Sequence, residues 1–427
     1  MSNLNTIVYQ NIGETLSSVK LTNGLQVYII EKPEFKESSC VLMTKFGSID
    51  TIFTVRKQLK NYPLGIAHFL EHKLFEMEKG EDASLVFTDM GADCNAFTSY
   101  SKTCYYFSTS ARLLDNLEHL QDFVSNLHLT EESVEKEKEI ICQEIYMYQD
   151  DPDYRLYQGI LSCLYPESVL ATDIAGTRDS VTAISKKMLQ DNYRYFYHPE
   201  FMTLVIVGDI NRKVVLDAIK EKQNTLSYKR VIKANRESII YLPVLKNKSI
   251  SMPVNLPKLA VGFRGQKLED RTSLLRQYIG LKLYFSLLLG WTSDTYQNWY
   301  ELGSINDSFT IEIEVHKEFQ FVIFYLDTLE PITMSNKIRQ FLKREAHNEF
   351  NDDAYFNSLK KEFYGEFLRS LDSIEHLSLQ FVNYITDDET YYDIPNLIQT
   401  LSIDEVVKIG REFLEQSDVT DFIIFPK

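Results

Sequence analysis

The chain has 427 residues, 44% of them apolar and 25% charged, a composition that supports two or three domains with substantial cores and excludes disordered, collagen-like and coiled-coil readings. Forty-five basic against 61 acidic residues leave a net charge of -16, the wrong sign for a surface that neutralises phosphates, so nucleic acid is not an expected partner. All five cysteines lie between Cys40 and Cys163, the opening residues carry no apolar signal-peptide stretch, and no apolar run approaches the roughly 18 to 20 residues of a bilayer span. A reduced, cytoplasmic protein without a transmembrane segment is expected.

In chain order, a turn at Asn23-Gly24 precedes a strand over Leu25–Glu31, and Ser39–Gly47 follows as a second strand. A helix is expected to begin near Pro63, since proline suits a first helical turn. Residues Ala92 to Ser110 read as a hairpin in which Cys94 and Cys104 face each other as reduced thiols. Long helical patterns run from Arg112 to Tyr197, and Leu204–Val207 reads as a buried strand. Between Glu221 and Pro257 basic residues and prolines cluster, marking a connection between domains. Beyond it come a strand at Leu259–Phe263, a helix at Thr272–Leu289, and a strand pair centred on Phe309–Val315 and Phe321–Leu326. Helices over Pro331–Asn383 and Ile403–Gln416 lead to a last strand at Asp421–Phe425.

Each half therefore reads strands, helix, strand pair, long helices, final strand, a duplication visible in the order of elements and not in matching residues. The expected fold is α+β, with two similar domains, each an antiparallel-rich sheet packed with helices on one side. The boundaries are 1–225 for the first domain, 226–256 for the linker and 257–427 for the second domain.

The chemistry concentrates in Gly65-Ile66-Ala67-His68-Phe69-Leu70-Glu71-His72-Lys73-Leu74-Phe75. On a helix, Ile66, Leu70, Leu74 and Met77 form an apolar stripe, while His68 and His72, four apart, point the same way from another face and can bind one metal ion. Glu71 projects beside them, where a base acting on a metal-activated water belongs. The bland reading is two surface histidines with an acidic neighbour, but with eight histidines in the chain the pattern H-x-x-E-H arises by chance only about once in a hundred such sequences.

Two histidines leave a tetrahedral zinc with an open catalytic position one protein ligand short. The best source is Thr130–Asp150, a helix with Thr130 as its cap and Val134, Ile141, Ile145 and Tyr148 as its buried stripe. Glu137 and Glu144, seven apart, flank that stripe. Glu131, Glu132, Glu135 and Glu139 suit a solvated face. The helix alone does not single out Glu144 among these carboxylates.

The sequence His68-Phe69-Leu70-Glu71-His72, the helix carrying Glu137 and Glu144, and the intervening Asn95-Ala96-Phe97-Thr98 together resemble the inverzincin peptidases: pitrilysin, insulin-degrading enzyme and the mitochondrial processing peptidase. The resemblance runs from Gly47-Ser48 through Tyr197-His198-Pro199 to Val207-Gly208-Asp209 and is weaker in the second half. It implies one zinc per chain held by His68, His72 and Glu144, with Glu71 as base and Glu137 supporting the ligands. It also implies a peptide substrate bound as an added strand at Asn95, Ala96 and Phe97, although plain core packing accounts for Phe97 equally well.

One departure matters. Active members of that family carry an arginine and, seven residues later, a tyrosine in the second domain. Here Tyr300 falls at the arginine position and Asn306 or Asp307 at the tyrosine position, with Arg264 and Arg271 as candidate replacements. This resembles the small bacterial branch in which a zinc-bearing subunit pairs with a homologue lacking the zinc motif, each a two-domain half of a peptidase clamshell. The expectation is a zinc metalloendopeptidase that processes leader, precursor or signal peptides as the catalytic subunit of a heterodimer. The alternatives are a self-sufficient homodimer, a scaffolding homologue without catalysis, and a metal-binding module that would not need Glu71.

Overall fold

The computed structural model of the protein describes residues 4–78, 80–269, 272–347, 350, 352–386 and 388–427. The chain forms two compact units, both α+β, whose strands in chain order are β1 (Asn5–Tyr9), β2 (Glu14–Lys20), β3 (Gln26–Glu31), β4 (Ser38–Thr44), β5 (Ile52–Val55), β6 (Gln58–Asn61), β7 (Ala92–Thr98), β8 (Thr103–Thr109), β9 (Met202–Gly208) and β10 (Asn235–Arg236) in the first, and β11 (Lys248–Met252), β12 (Lys258–Arg264), β13 (Thr310–Val315), β14 (Gln320–Asp327) and β15 (Asp418–Pro426) in the second. The first five helices are α1 (Ile66–Leu74), α2 (Ala83–Asp89), α3 (Leu113–Ser125), α4 (Glu131–Gln149) and α5 (Pro152–Leu164), of which α1 and α4 carry the site.

The first unit is built on a seven-stranded sheet in the order β1-β2-β3-β9-β4-β8-β7, with a smaller β10-β5-β6 sheet beside it. Every residue of β4 and β9 is buried, as continuous apolar runs at the centre of a covered sheet require. The second unit has a five-stranded sheet, β11-β15-β12-β14-β13.

Pairing directions expose the duplication. β3 runs parallel to β9, and the pairs β9–β4, β4–β8 and β8–β7 are antiparallel. β11 runs parallel to β15, and β15–β12, β12–β14 and β14–β13 are antiparallel. Five strands of each unit thus match one for one in position and direction, although their residues do not.

The units do not follow the contiguous division at 1–225 and 257–427. By contact, Leu368–Tyr392 belongs to the first unit and Tyr146–Thr172 to the second. The helix Ile374–Tyr384 lies against β4 and β9, where Ser39 Oγ and Ser378 Oγ are 2.9 Å apart and the Tyr28 and Phe381 rings are 5.3 Å apart. In the second unit α5 lies against β12 and β15, so closely that a Cβ on Gly159 would stand 2.4 Å from the Phe422 ring. The segment 226–256 is not only a connection, because it supplies β10 to one unit and β11 to the other.

Several local expectations need correction. Helix α1 begins at Ile66 rather than near Pro63, because Gly65 precedes it with φ 86°. Glycine is required there, since a Cβ would lie 2.2 Å from the Ala175 carbonyl oxygen. Cys94 and Cys104 do not face each other: the hairpin register pairs Cys94 with Phe107 and Phe97 with Cys104. The helical stretch Arg112–Tyr197 resolves into α3, α4, α5, Arg178–Ala183 and Lys186–Phe196, and Pro331–Asn383 into Pro331–Glu345, Asp353–Ser370 and Ile374–Tyr384.

Candidate active site

Helix α1 is driven against the sheet of the first unit by Ile66, Ala67, Phe69, Leu70 and Leu74, each no more than 1% exposed. Once that face is committed, the helical period carries His68, Glu71 and His72 to the side facing α4. Helix α4 starts where Thr130 and Ser133 satisfy each other's backbone N–H groups at 3.2 and 3.0 Å. It is seated by Val134, Ile141 and Ile145. Glu131, Glu132, Glu135 and Glu139 are exposed, which leaves Glu137 and Glu144 as the carboxylates on the inner side.

The donor atoms converge. His68 Nε2 lies 3.8 Å and His72 Nε2 3.5 Å from Glu144 Oε2, and one ligand atom from each residue lies within 4.8 Å of the others. Ligands at about 2.0 to 2.2 Å from a tetrahedral zinc stand about 3.3 to 3.6 Å apart, so the donor set fits that ion with little adjustment. His68 Nδ1 is buried without a hydrogen-bond partner. His72 Nδ1 lies 3.0 Å from Glu137 Oε1, the outward bond that fixes which ring nitrogen is free to bind metal.

The electrostatics separate the two imidazoles. Burial, aided by the neighbouring His72, lowers the His68 pKa to about 3, so that ring stays neutral and ready to ligate. Burial would also lower His72, but the hydrogen bond and charge of Glu137, with the charges of Glu71 and Glu144, outweigh it and raise this pKa. Glu71, 9% exposed, is raised above the usual carboxylate range by burial, and a hydrogen bond from Thr98 counters this in part. Thr98 Oγ1 donates to Glu71 Oε2 at 2.5 Å. For Glu137, burial is overcome by His72 and then by Lys73, which bring it below the usual range.

Two of these residues, Thr98 and Lys73, escape a reading of the sequence. Thr98 sits at the end of β7, and only the sheet brings it to Glu71. Lys73 is 1% exposed, with Glu76 and the carbonyl of Ser133 as hydrogen-bond partners. Its single cue is a cation directly after the second histidine on a helix face that is otherwise apolar.

Asn95, Ala96 and Phe97 lie on β7, the outer strand of the sheet; among the described residues no strand pairs with its free edge. Asn95 is exposed and Phe97 is half-buried, its ring 6.4 Å from that of Tyr106. In the second unit, Tyr300 is 45% exposed and stacks on Tyr296, and Asn306 donates to the Asp327 carbonyl. Arg264 does not offer a free guanidinium. It is 3% exposed and donates to Leu164 O, Leu242 O and Asp418 at 2.7, 2.7 and 2.5 Å. Arg271, the other candidate replacement, lies outside the described residues.

The chain is similar to known proteins along its whole length. Residues 27–178 match the Insulinase (Peptidase family M16) profile, and residues 183–362 match that of the Peptidase M16 inactive domain. An uncharacterized zinc protease of Bacillus subtilis is 35% identical over 99% of both chains. One from Rickettsia felis is 26% identical over 97% of this chain and 98% of its own. An M16-like chain from Alicyclobacillus acidocaldarius superposes with a TM-score of 0.90 at 30% identity, covering 100% of this chain and 99% of that one. A protease from Helicobacter pylori, at 19% identity and a TM-score of 0.79 over 96% of this chain and 99% of its own, shares the fold. With two such domains and a zinc-protease relative aligned along its whole length, the chain belongs to peptidase family M16, in its small two-domain bacterial branch.

Proposed function

We propose that the protein is a zinc metalloendopeptidase acting on unfolded peptides. The observation that carries this reading is the convergence of His68 Nε2, His72 Nε2 and Glu144 Oε2 beside a buried Glu71. His68, His72 and Glu144 would hold one zinc ion. Zinc bound there supplies Lewis-acid polarisation and brings the pKa of a water towards neutrality.

The protein's own groups do the rest. Glu71 takes the proton of the attacking water and returns it to the leaving amine, a role suited to a carboxylate whose pKa burial has raised. Thr98 holds that carboxylate by one oxygen. Glu137 orients His72. The free edge of β7 would align an extended peptide through backbone hydrogen bonds at Asn95, Ala96 and Phe97, a mode that needs an unfolded substrate segment. Leader, precursor or signal peptides meet that condition.

By the resemblance, Tyr300 and Asn306 or Asp307 fall where an arginine and a tyrosine would serve catalysis, and Arg264 is committed to structure. On that correspondence the proposal is a heterodimer in which a homologous subunit without the zinc ligands supplies the pair, with a homodimer as the alternative. A scaffolding role is disfavoured because all four chemical positions are filled. Within this reading the protein works in the cytoplasm, and 1–225 and 257–427 are the two copies of the duplicated sequence.

The test is zinc analysis of the purified chain, followed by peptide digestion read by mass spectrometry, alone and with a co-expressed homologue. One zinc per chain and cleavage that disappears in Glu71→Gln are expected. Zinc-loaded protein that cleaves nothing in either setting would overturn the peptidase reading.

A further inference from the structure

A lysine ammonium is among the costliest groups to bury, and it stays inside a protein only when paired. Lys73 is nevertheless one of the largest fully buried side chains of the first unit, on a helix whose neighbouring positions Phe69, Leu70 and Leu74 are apolar. Methionine or leucine would fill that space without a charge.

The geometry gives the charge a task. Glu137 Oε1 lies 3.0 Å from His72 Nδ1, and Glu137 Oε2 lies 3.7 Å from Lys73 Nζ. The two oxygens of one carboxylate are thus divided between consecutive residues of α1. Lys73 is held in turn by Glu76, one helical turn on, and by the carbonyl of Ser133 on α4. A carboxylate fastened at one oxygen can still rotate about its last torsion. With His72 on one oxygen and the Lys73 charge 3.7 Å from the other, that rotation is opposed and the oxygen facing His72 is favoured in place.

We propose that Lys73 is a positioning residue for the metal site: it clamps the outer oxygen of Glu137, and the inner oxygen then holds His72 with Nε2 turned towards His68 and Glu144. This rests on the assignment of His68, His72 and Glu144 as zinc ligands, and it acts on metal affinity whether or not peptide is cleaved.

The experiment measures zinc dissociation constants by competition with a chelating dye for the full chain, Lys73→Met, Glu137→Gln and the double variant. Lys73→Met is expected to weaken zinc binding about 3- to 10-fold and Glu137→Gln about 10- to 100-fold. In the Glu137→Gln background, Lys73→Met should change the affinity by less than about twofold, because its effect runs through that carboxylate. Unchanged affinity in Lys73→Met, or losses that simply multiply in the double variant, would overturn the proposal. Should Lys73→Met fail to give folded protein by circular dichroism, Lys73→Gln enters the same cycle. A parent chain that binds zinc no better than His72→Ala would instead overturn the ligand assignment, which keeps the two failures apart.

Discussion

His72 Nδ1 stands 3.0 Å from Glu137 Oε1, so a side chain that does not reach the metal position decides which face of the imidazole does. Neutral histidine carries its proton on one nitrogen or the other, and a carboxylate at Nδ1 fixes it there and leaves Nε2 free. Glutamine at 137 can still accept through its carbonyl oxygen but lacks the charge, so Glu137→Gln should keep the fold and lose about 10- to 100-fold in zinc affinity. Competition against a chelator measures this, and an affinity within twofold of the parent would remove Glu137 from the site.

Glu71→Gln should separate binding from chemistry. The substitution preserves shape and can still accept from Thr98, while removing the proton acceptor. One zinc per chain should remain, with cleavage reduced by at least about 100- to 10,000-fold, the range of general-base contributions. Metal analysis and a fluorogenic peptide assay on the same preparation check both halves.

The pH dependence of zinc binding should reflect one histidine. The pKa of His72 is raised in the metal-free protein, so zinc must displace its proton; the apparent affinity is flat above that pKa and falls tenfold per pH unit below it. His68 is held at about 3, and between about pH 5 and 8 it contributes no second proton. The stability terms have opposite signs. The raised His72 stabilises the metal-free fold fully below its unfolded pKa and loses that contribution as pH rises through its folded value. The lowered His68 contributes above its unfolded pKa and loses it as pH falls. Titration calorimetry in two buffers of different ionisation enthalpy counts the protons released, and a slope of two would contradict this assignment.

Two glycines on helices of the second unit should respond oppositely to alanine. At Gly159 a Cβ would meet the Phe422 ring at 2.4 Å, whereas at Gly365 nothing lies within 4 Å. Gly159→Ala should cost about 1 to 3 kcal/mol through overpacking between α5 and β15. Gly365→Ala should stabilise by about 0.4 to 1 kcal/mol by restricting the unfolded chain. Chemical denaturation of the two variants decides this.

Much of the site could be read in advance because helices impose short spacings. The four-residue step from His68 to His72 and the seven-residue step from Glu137 to Glu144 place side chains on a face wherever the helix sits. Thr98 and Lys73 were not legible, since what they touch depends on how β7, α1 and α4 pack. The strands of 226–256 were hidden by a basic, proline-bearing composition, β5 by its length of only four residues, and β6 by its polar content. Gly65 marks the start of α1 through its contact with Ala175, more than a hundred residues away, which local propensity at Pro63 cannot anticipate. The duplication was visible as an order of elements, and its full extent emerged only from strand directions.

The reciprocal placement of α5 and the helix Ile374–Tyr384 bears on how the chain can be divided. Each repeat of the sequence supplies the other repeat's sheet with a helix, as two subunits do in a domain-swapped dimer. A fragment ending in 226–256 would carry both histidines and Glu144 yet leave the inner strands β4 and β9 without their covering helix. The complementary fragment would lack α5 over β12 and β15. Neither fragment is expected to fold alone, and the two expressed together are the smallest division of the polypeptide expected to rebuild the metal site.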